Sequence, residues 1–345
     1  MNKITFPRVG YDGKEYSKKK IEKWYVEQVK NKIIDNLTNN ITDGLINSIV
    51  TKETDNKKVK NLIEDLKNPP IIEKILLYTP DELEKHKGDY CIINQYAKLK
   101  TAIANAFNYK EFRKKELVEL AKRLNVKVCP YCNMHYTLFA EKKDGKHKVK
   151  QLAKFQFDHF VNKNDYPMFS MSLYNLIPSC AVCNQGKHKG ELPLALNPYS
   201  NDIYKLFHFE VKEPLPLLMG KKEEDKTEID VVCNDIKNSK DVKTYDKTFH
   251  ISALYSRHKD VVQEIFDKTY IASSARDIAK MLMQNKNNLS KEERIVAEAI
   301  DKIEGYGGRY ISELWYGTYL DEEDIEKRPL SKFIQDIKKQ SESIF

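Results

Sequence analysis

Nowhere in this chain do eighteen apolar residues follow one another, so no membrane-spanning helix is expected. The amino-terminal stretch MNKITFPRVGYDGKEY lacks the apolar centre of a signal peptide, which argues against secretion and leaves the cytoplasm as the expected compartment. No internal repeat or long low-complexity tract occurs either, which argues against a solenoid or a fibrous protein. Charge of one sign is in only slight excess: the formal net charge of +8 is modest for 345 residues and names no partner by itself. What remains is a chain with 41% hydrophobic and 32% charged residues, enough to bury a substantial core. Its length suggests two domains, or one domain with large flanking additions.

The positive excess is unevenly spread. Residues 141 to 190 hold nine lysines against four carboxylates, which favours a polyanionic partner near that segment, with a solvated lysine-rich surface as the plain alternative. The six cysteines, at 91, 129, 132, 180, 183 and 233, divide in a similar way. Cys129/Cys132 and Cys180/Cys183 form two CxxC pairs, which in a reducing compartment read as metal ligands rather than disulfides. Cys91 and Cys233 stand alone and read as small buried hydrophobes.

Periodicity suggests an α+β protein in three stretches. Residues 1 to 125 read as mainly helical, for packing or partner binding. Ser17 is placed to cap a helix whose face carries Ile21, Trp24, Tyr25, Val29, Ile33 and Leu37. TKETDNKKVK at 51 to 60 reads as an exposed connection, TPDE at 79 to 82 as a capping box with Pro80 at the first helical position, and about 93 to 124 as one helix. Residues 126 to 200 change character. HYTLFA and KFQF flank Asp144-Gly145, a tight-turn pair, so a β-hairpin is expected, with CPYC before its first strand and Asp158-His159 closing its second. NLIPSC reads as a short extended piece, and CAVCNQGKHKG as a knuckle leading into a short helix. Residues 201 to 345 read as short strands, IYKLFHFEV and TEIDVVC, followed by helices, with Ser290 and Glu293 forming a second capping box.

The chemistry concentrates in the middle stretch. With 47 residues between Cys132 and Cys180, the four thiolates suit a closed tetrahedral zinc site. Between the two knuckles lies FQFDHF, where Asp158 and His159 stand side by side in an aromatic run. An ionised carboxylate buried there is costly unless something neutralises it. Neighbouring strand residues point to opposite faces, so the pair could share one site only where the strand ends and the chain turns. A divalent cation would neutralise Asp158, and a neutral imidazole at His159 could take a proton from water. The plainer reading is an Asp-His hydrogen bond inside a purely structural zinc domain.

The order CPYC, DH, the Asn of SLYNLIP and then CxxCN resembles the HNH, or ββα-metal, nucleases with a zinc-knuckle frame, over about residues 126 to 190. The resemblance implies a central ββα-metal module, a structural Zn²⁺ on Cys129, Cys132, Cys180 and Cys183, and a catalytic Mg²⁺ or Mn²⁺ on Asp158 and Asn184. It further implies that His159 is the general base, that Asn175 orients it, and that the substrate is nucleic acid, DNA favoured. Asn184 stands where many members carry His; His188, one helical turn on, is its rival. Lys187, Lys189, His188 and His135 are weaker candidates for substrate binding. CPYCN, the YPxxSxSLYNLIPSCxxCN series and FHISALYSRHKD also resemble the HNH subunits of Septu-type and retron-linked anti-phage systems, which implies an ABC-type ATPase partner. A zinc-stabilised nucleic-acid-binding or interaction subunit without catalysis is the alternative.

Overall fold

The computed structural model describes residues 2–144, 148–153, 155–185, 192–200, 202–212, 214, 228–284, 290–295 and 308–345. Lys187, His188, Lys189 and the tip of the Asp144-Gly145 turn lie outside the described residues. The chain is mainly helical with small antiparallel two-stranded sheets, an α+β protein. None of its described helices is long and apolar enough to cross a membrane. It divides into two compact units, Met1–Tyr131 with His135–Ile203, and Cys132–Met134 with Tyr204–Phe345.

In the first unit a short β1–β2 pair (Arg8–Val9, Glu15–Tyr16) precedes α1 (Lys18–Asn40), α2 (Asp43–Ile49), α3 (Glu53–Lys67), α4 (Pro69–Leu77) and α5 (Pro80–His86). Ser17 caps α1 by accepting from the Lys20 amide, and Ile21, Tyr25, Val29, Ile33 and Leu37 form its buried stripe. Trp24 departs from that stripe: it is half-buried beneath the Arg123 guanidinium, 4.2 Å from its ring. Thr79 and Glu82 form the expected capping box at α5. The segment from 51 to 60 is not an exposed connection but runs into α3, because Val59, Ile63 and Leu66 recur at helical spacing and are buried.

The single helix expected over 93 to 124 is broken into α6 (Ala97–Phe107), α7 (Tyr109–Phe112) and α8 (Glu116–Leu124). Asn108 ends α6 in the left-handed conformation, φ 43°, a position asparagine tolerates better than most residues. The break turns Tyr109 and Arg113 toward the cleft described below.

The hairpin exists as β3 (Phe139–Asp144) against β4 (Lys148–Ala153), but Asp158 and His159 do not belong to it. They end a separate strand, β5 (Gln156–His159), which pairs antiparallel with β6 (Leu176–Ser179), Asp158 opposite Ile177 and His159 opposite Leu176. α9 (Ala181–Gln185) follows directly. NLIPSC is thus the partner strand of the DH strand, an arrangement of two strands and a helix made by residues 156 to 185.

Apart from residues 132 to 134, residues 126 to 203 are built into the same unit as the amino-terminal helices, so position 125 is not a division between compact units. The reason is packing: the Tyr25 hydroxyl donates to the Met171 carbonyl at 2.8 Å, Ser172 Oγ to the Ile75 carbonyl at 2.6 Å, and Tyr174 to Glu22 at 2.6 Å.

The second unit has β7 (Phe207–Val211) paired with β8 (Ile229–Cys233) and helices that include Ser239–Phe249, Lys259–Gln284 and Ser331–Glu342. Its core joins Phe207, Phe209, Tyr245, Tyr255, Phe266 and Phe333. Asp336 and Gln340 accept from the amides of Phe209 and Val211, at 2.9 Å each, which closes the outer edge of β7. Within this unit residues 132 to 134 are held by backbone: the Tyr255 hydroxyl donates to the Cys132 carbonyl at 2.7 Å, and the Leu330 amide to the Asn133 carbonyl at 2.7 Å. The second capping box is present, the Ser290 amide donating to Glu293 at 2.8 Å and the Glu293 amide to Ser290 at 3.1 Å. Cys91 is exposed and Cys233 half-buried, so neither is the buried hydrophobe expected of it.

Candidate metal centre and adjoining cleft

The CPYC and CAVC turns bring four sulfurs together. Cys129, Cys132, Cys180 and Cys183 are all buried, and their sulfurs lie within 4.8 Å of one another. A tetrahedral zinc site with bonds of about 2.3 Å needs sulfurs about 3.8 Å apart, a small contraction from this arrangement. The Met134 amide points at the Cys132 sulfur and the Cys183 amide at the Cys180 sulfur, both at 3.5 Å, contacts that a metal-bound thiolate can accept. Four such thiolates could hold a zinc ion.

The second knuckle also sets α9. The Asn184 amide donates to the Cys180 carbonyl at 3.1 Å, so Asn184 follows the knuckle with little freedom. Its side-chain nitrogen donates to Gln156 Oε1 on β5, which leaves its oxygen as the atom a hard cation would take. Gln156 and Asp158 share a face of β5 by strand alternation. Asp158 is 4% exposed, and Tyr131, from inside the first knuckle, donates its hydroxyl to Asp158 Oδ2 at 2.9 Å.

β5 ends at His159, and the chain turns there. The turn is pinned by Asn175, which is fully buried. Asn175 Oδ1 accepts from the Val161 amide at 2.6 Å, while Nδ2 donates to the carbonyls of Val161 and Phe169 at 3.1 and 2.8 Å. Asn175 therefore pins the backbone that follows His159, its side-chain hydrogen bonds going to Val161 and Phe169. Replacing Asn175 with Ala strands these buried backbone groups, and a loss of roughly 2 to 4 kcal/mol in chemical unfolding is expected. Unfolding of Asn175→Ala within about 0.5 kcal/mol of the parent would remove that role.

The His159 ring is held on two sides. Nε2 donates to the Ser170 carbonyl at 3.0 Å, which fixes the tautomer and makes Nδ1 the basic nitrogen. Tyr109 meets the ring edge-on, centroids 4.6 Å apart, and its hydroxyl donates to the Phe157 carbonyl at 3.3 Å. Burial, and secondarily the Lys163 ammonium, pull the imidazole pKa down to about 3 against the opposing pull of the Ser170 carbonyl. The ring is in its neutral, proton-accepting form at neutral pH.

Asp158, His159 and Asn184 line one cleft of about 480 Å³. Lys87, Tyr109 and Arg113 from the amino-terminal helices line it too, as does Lys163 from the turn after β5. These residues escape a motif search because they come from the helical region, where periodicity points only to packing. His135 is an exposed residue of the loop before β3, not of the strand itself, and is not among the residues lining this cleft. Comparison with family models, with curated proteins and with solved structures returned no match for this chain.

Proposed function

We propose that this protein is a metal-dependent nuclease of HNH type that hydrolyses phosphodiester bonds, DNA being the favoured substrate. The observation that carries the reading is the meeting of Asp158, His159 and Asn184 in one cleft, from positions up to 26 residues apart in the chain. Two protein oxygens, the Asp158 carboxylate and the Asn184 amide, fit a hard cation that keeps most of its waters, such as Mg²⁺ or Mn²⁺. When bound, such an ion would offset the charge that develops on the phosphate and the leaving oxygen.

The chain's own residues perform the proton chemistry. Nδ1 of His159, already neutral, accepts the proton of the attacking water as that water approaches phosphorus. The Ser170 carbonyl and Tyr109 keep the ring from rotating, and Asn175 keeps the backbone of residues 160 and 161 from moving under it. Tyr131 holds Asp158 Oδ2 in place through its phenol.

The resemblance to Septu-type subunits extends the proposal to an ABC-type ATPase partner and a role in phage defence. The test is supercoiled plasmid incubated with Mg²⁺ or Mn²⁺, with and without a candidate ATPase of that type. Nicked or linear product that depends on the added ion is expected. Intact plasmid and intact RNA under every combination of ion and partner would overturn the nuclease reading and favour a zinc-stabilised binding subunit.

A further inference from the structure

Three cations stand together beside His159 without a carboxylate to neutralise them. Lys110 and Arg113 come from α7 and the residue after it, and both are exposed; Lys163 comes from the turn after β5 and is half-buried. Among the described residues, none of the three forms an ion pair. Lys163 also lies between two hollows, since it lines both the cleft at His159 and a smaller one of about 180 Å³ shared with Lys110. The neighbouring cation of the main cleft behaves differently: Lys87 is paired with Glu84 at 2.8 Å. Two carboxylates, Asp158 and Asp165, line the same cleft. Asp158 is engaged by Tyr131, and Asp165, two residues beyond Lys163, forms no ion pair with it.

This grouping is unfavourable for the free protein. Burial lowers the affinity of Lys163 for its proton, and the charges of Arg113 and Lys110 lower it further. The contact that does favour the ammonium is the face of the Tyr109 ring, 4.4 Å away at its centroid. That same ring braces His159, so Lys163, Tyr109 and His159 form one stack of contacts. The smaller hollow has Lys110 and Lys163 in its lining and no carboxylate, a surface that concentrates counter-ions, and an oxyanion at Lys163 would relieve the repulsion that Arg113 and Lys110 exert on it. Arginine offers a planar fork that matches two oxygens of a phosphate; each lysine adds a point charge.

We infer that Arg113, Lys163 and Lys110 form a phosphate-binding subsite that holds the nucleic-acid backbone beside His159. The inference rests on the nuclease reading for its choice of ligand, but binding tests it without cleavage. It also assigns backbone recognition to the amino-terminal helices, whereas the lysine-rich knuckle segment was the expected source.

The experiment is fluorescence anisotropy of a labelled DNA oligonucleotide with the full-length, zinc-containing chain and no added Mg²⁺ or Mn²⁺, at several salt concentrations. Arg113→Gln with Lys163→Gln should weaken binding roughly tenfold or more and lower the log-log salt slope by about 1.4 to 1.8, one contact per residue. Lys19→Gln, an exposed lysine of α1, should leave affinity and slope close to the parent. An unchanged slope in the double variant, with unchanged thermal unfolding, overturns the subsite whatever the plasmid assay shows. Failure of the parent to bind DNA, inorganic phosphate or a nucleotide overturns it as well. Binding of inorganic phosphate or a nucleotide but not DNA, lost in the double variant, keeps the phosphate chemistry and overturns nucleic acid as its source. Loss of DNA binding in the double variant, when the parent binds DNA but does not cleave it with either Mg²⁺ or Mn²⁺, upholds the subsite and sinks the nuclease reading alone.

Discussion

Cys129→Ser and Cys180→Ser are each expected to yield protein without stoichiometric zinc and with most of its folding stability gone, a loss on the order of 5 kcal/mol or more. The four sulfurs belong to two turns separated by 47 residues, and they are buried, where a lone thiolate would be costly. An ion bound there joins the two turns, so its binding energy is also folding energy. Seryl oxygen is a poor ligand beside three thiolates and leaves the site open to water. Elemental analysis and thermal unfolding check the result together. Cys91→Ser, at an exposed site, should keep zinc and stability. A zinc-free parent, with both knuckle variants unfolding as it does, would end the case for a metal frame.

His159→Ala is expected to reduce divalent-metal-dependent DNA cleavage by about 10²- to 10⁴-fold while retaining zinc and the secondary structure seen by circular dichroism. The magnitude is that of a general base, because the variant removes the proton acceptor but leaves Asp158 and Asn184 in the cleft. Asn184→Ala should be comparably damaged and Asn184→His should retain some activity with a preference for softer transition metals, since imidazole replaces an amide oxygen. His188→Ala should cost little, the nine-residue step from Asn175 reaching Asn184 and not His188. A dead His188→Ala beside a near-normal Asn184→Ala, both folded and zinc-loaded, would reassign the ligand; a His159→Ala enzyme retaining most activity would require another base.

Local signals carried much of this. Side-chain caps such as Ser17 and the pair Thr79 and Glu82 act within one helical turn, and both occur as their spacing indicates. The CxxC turns are equally local. The requirement that Asp158 and His159 sit at a strand end follows from side-chain alternation alone, and β5 does end at His159. What escaped were long-range choices. Residues 139 to 159 contain enough β-forming sequence for one hairpin; nothing in their pattern says that the last four residues pair with Leu176–Ser179 instead. The cleft wall was missed for a related reason. Asn108 breaks the helix by a conformation available to any asparagine, and only the fold shows that the break places Tyr109 against His159.

The anchoring of residues 169 to 175 on the amino-terminal helices bears on how freely the site could be moved between proteins. A stretch cut at 126 and 200 would leave behind Tyr25, Ile75 and Glu22, the partners of Met171, Ser172 and Tyr174, and with them Tyr109, the ring that braces His159. The chemistry is therefore not a cassette. Grafted onto another scaffold it would carry its motif intact and lose the surface that shapes it, whereas a fragment ending near residue 203 would keep that surface and lose Tyr255 and Leu330, the partners of Cys132 and Asn133.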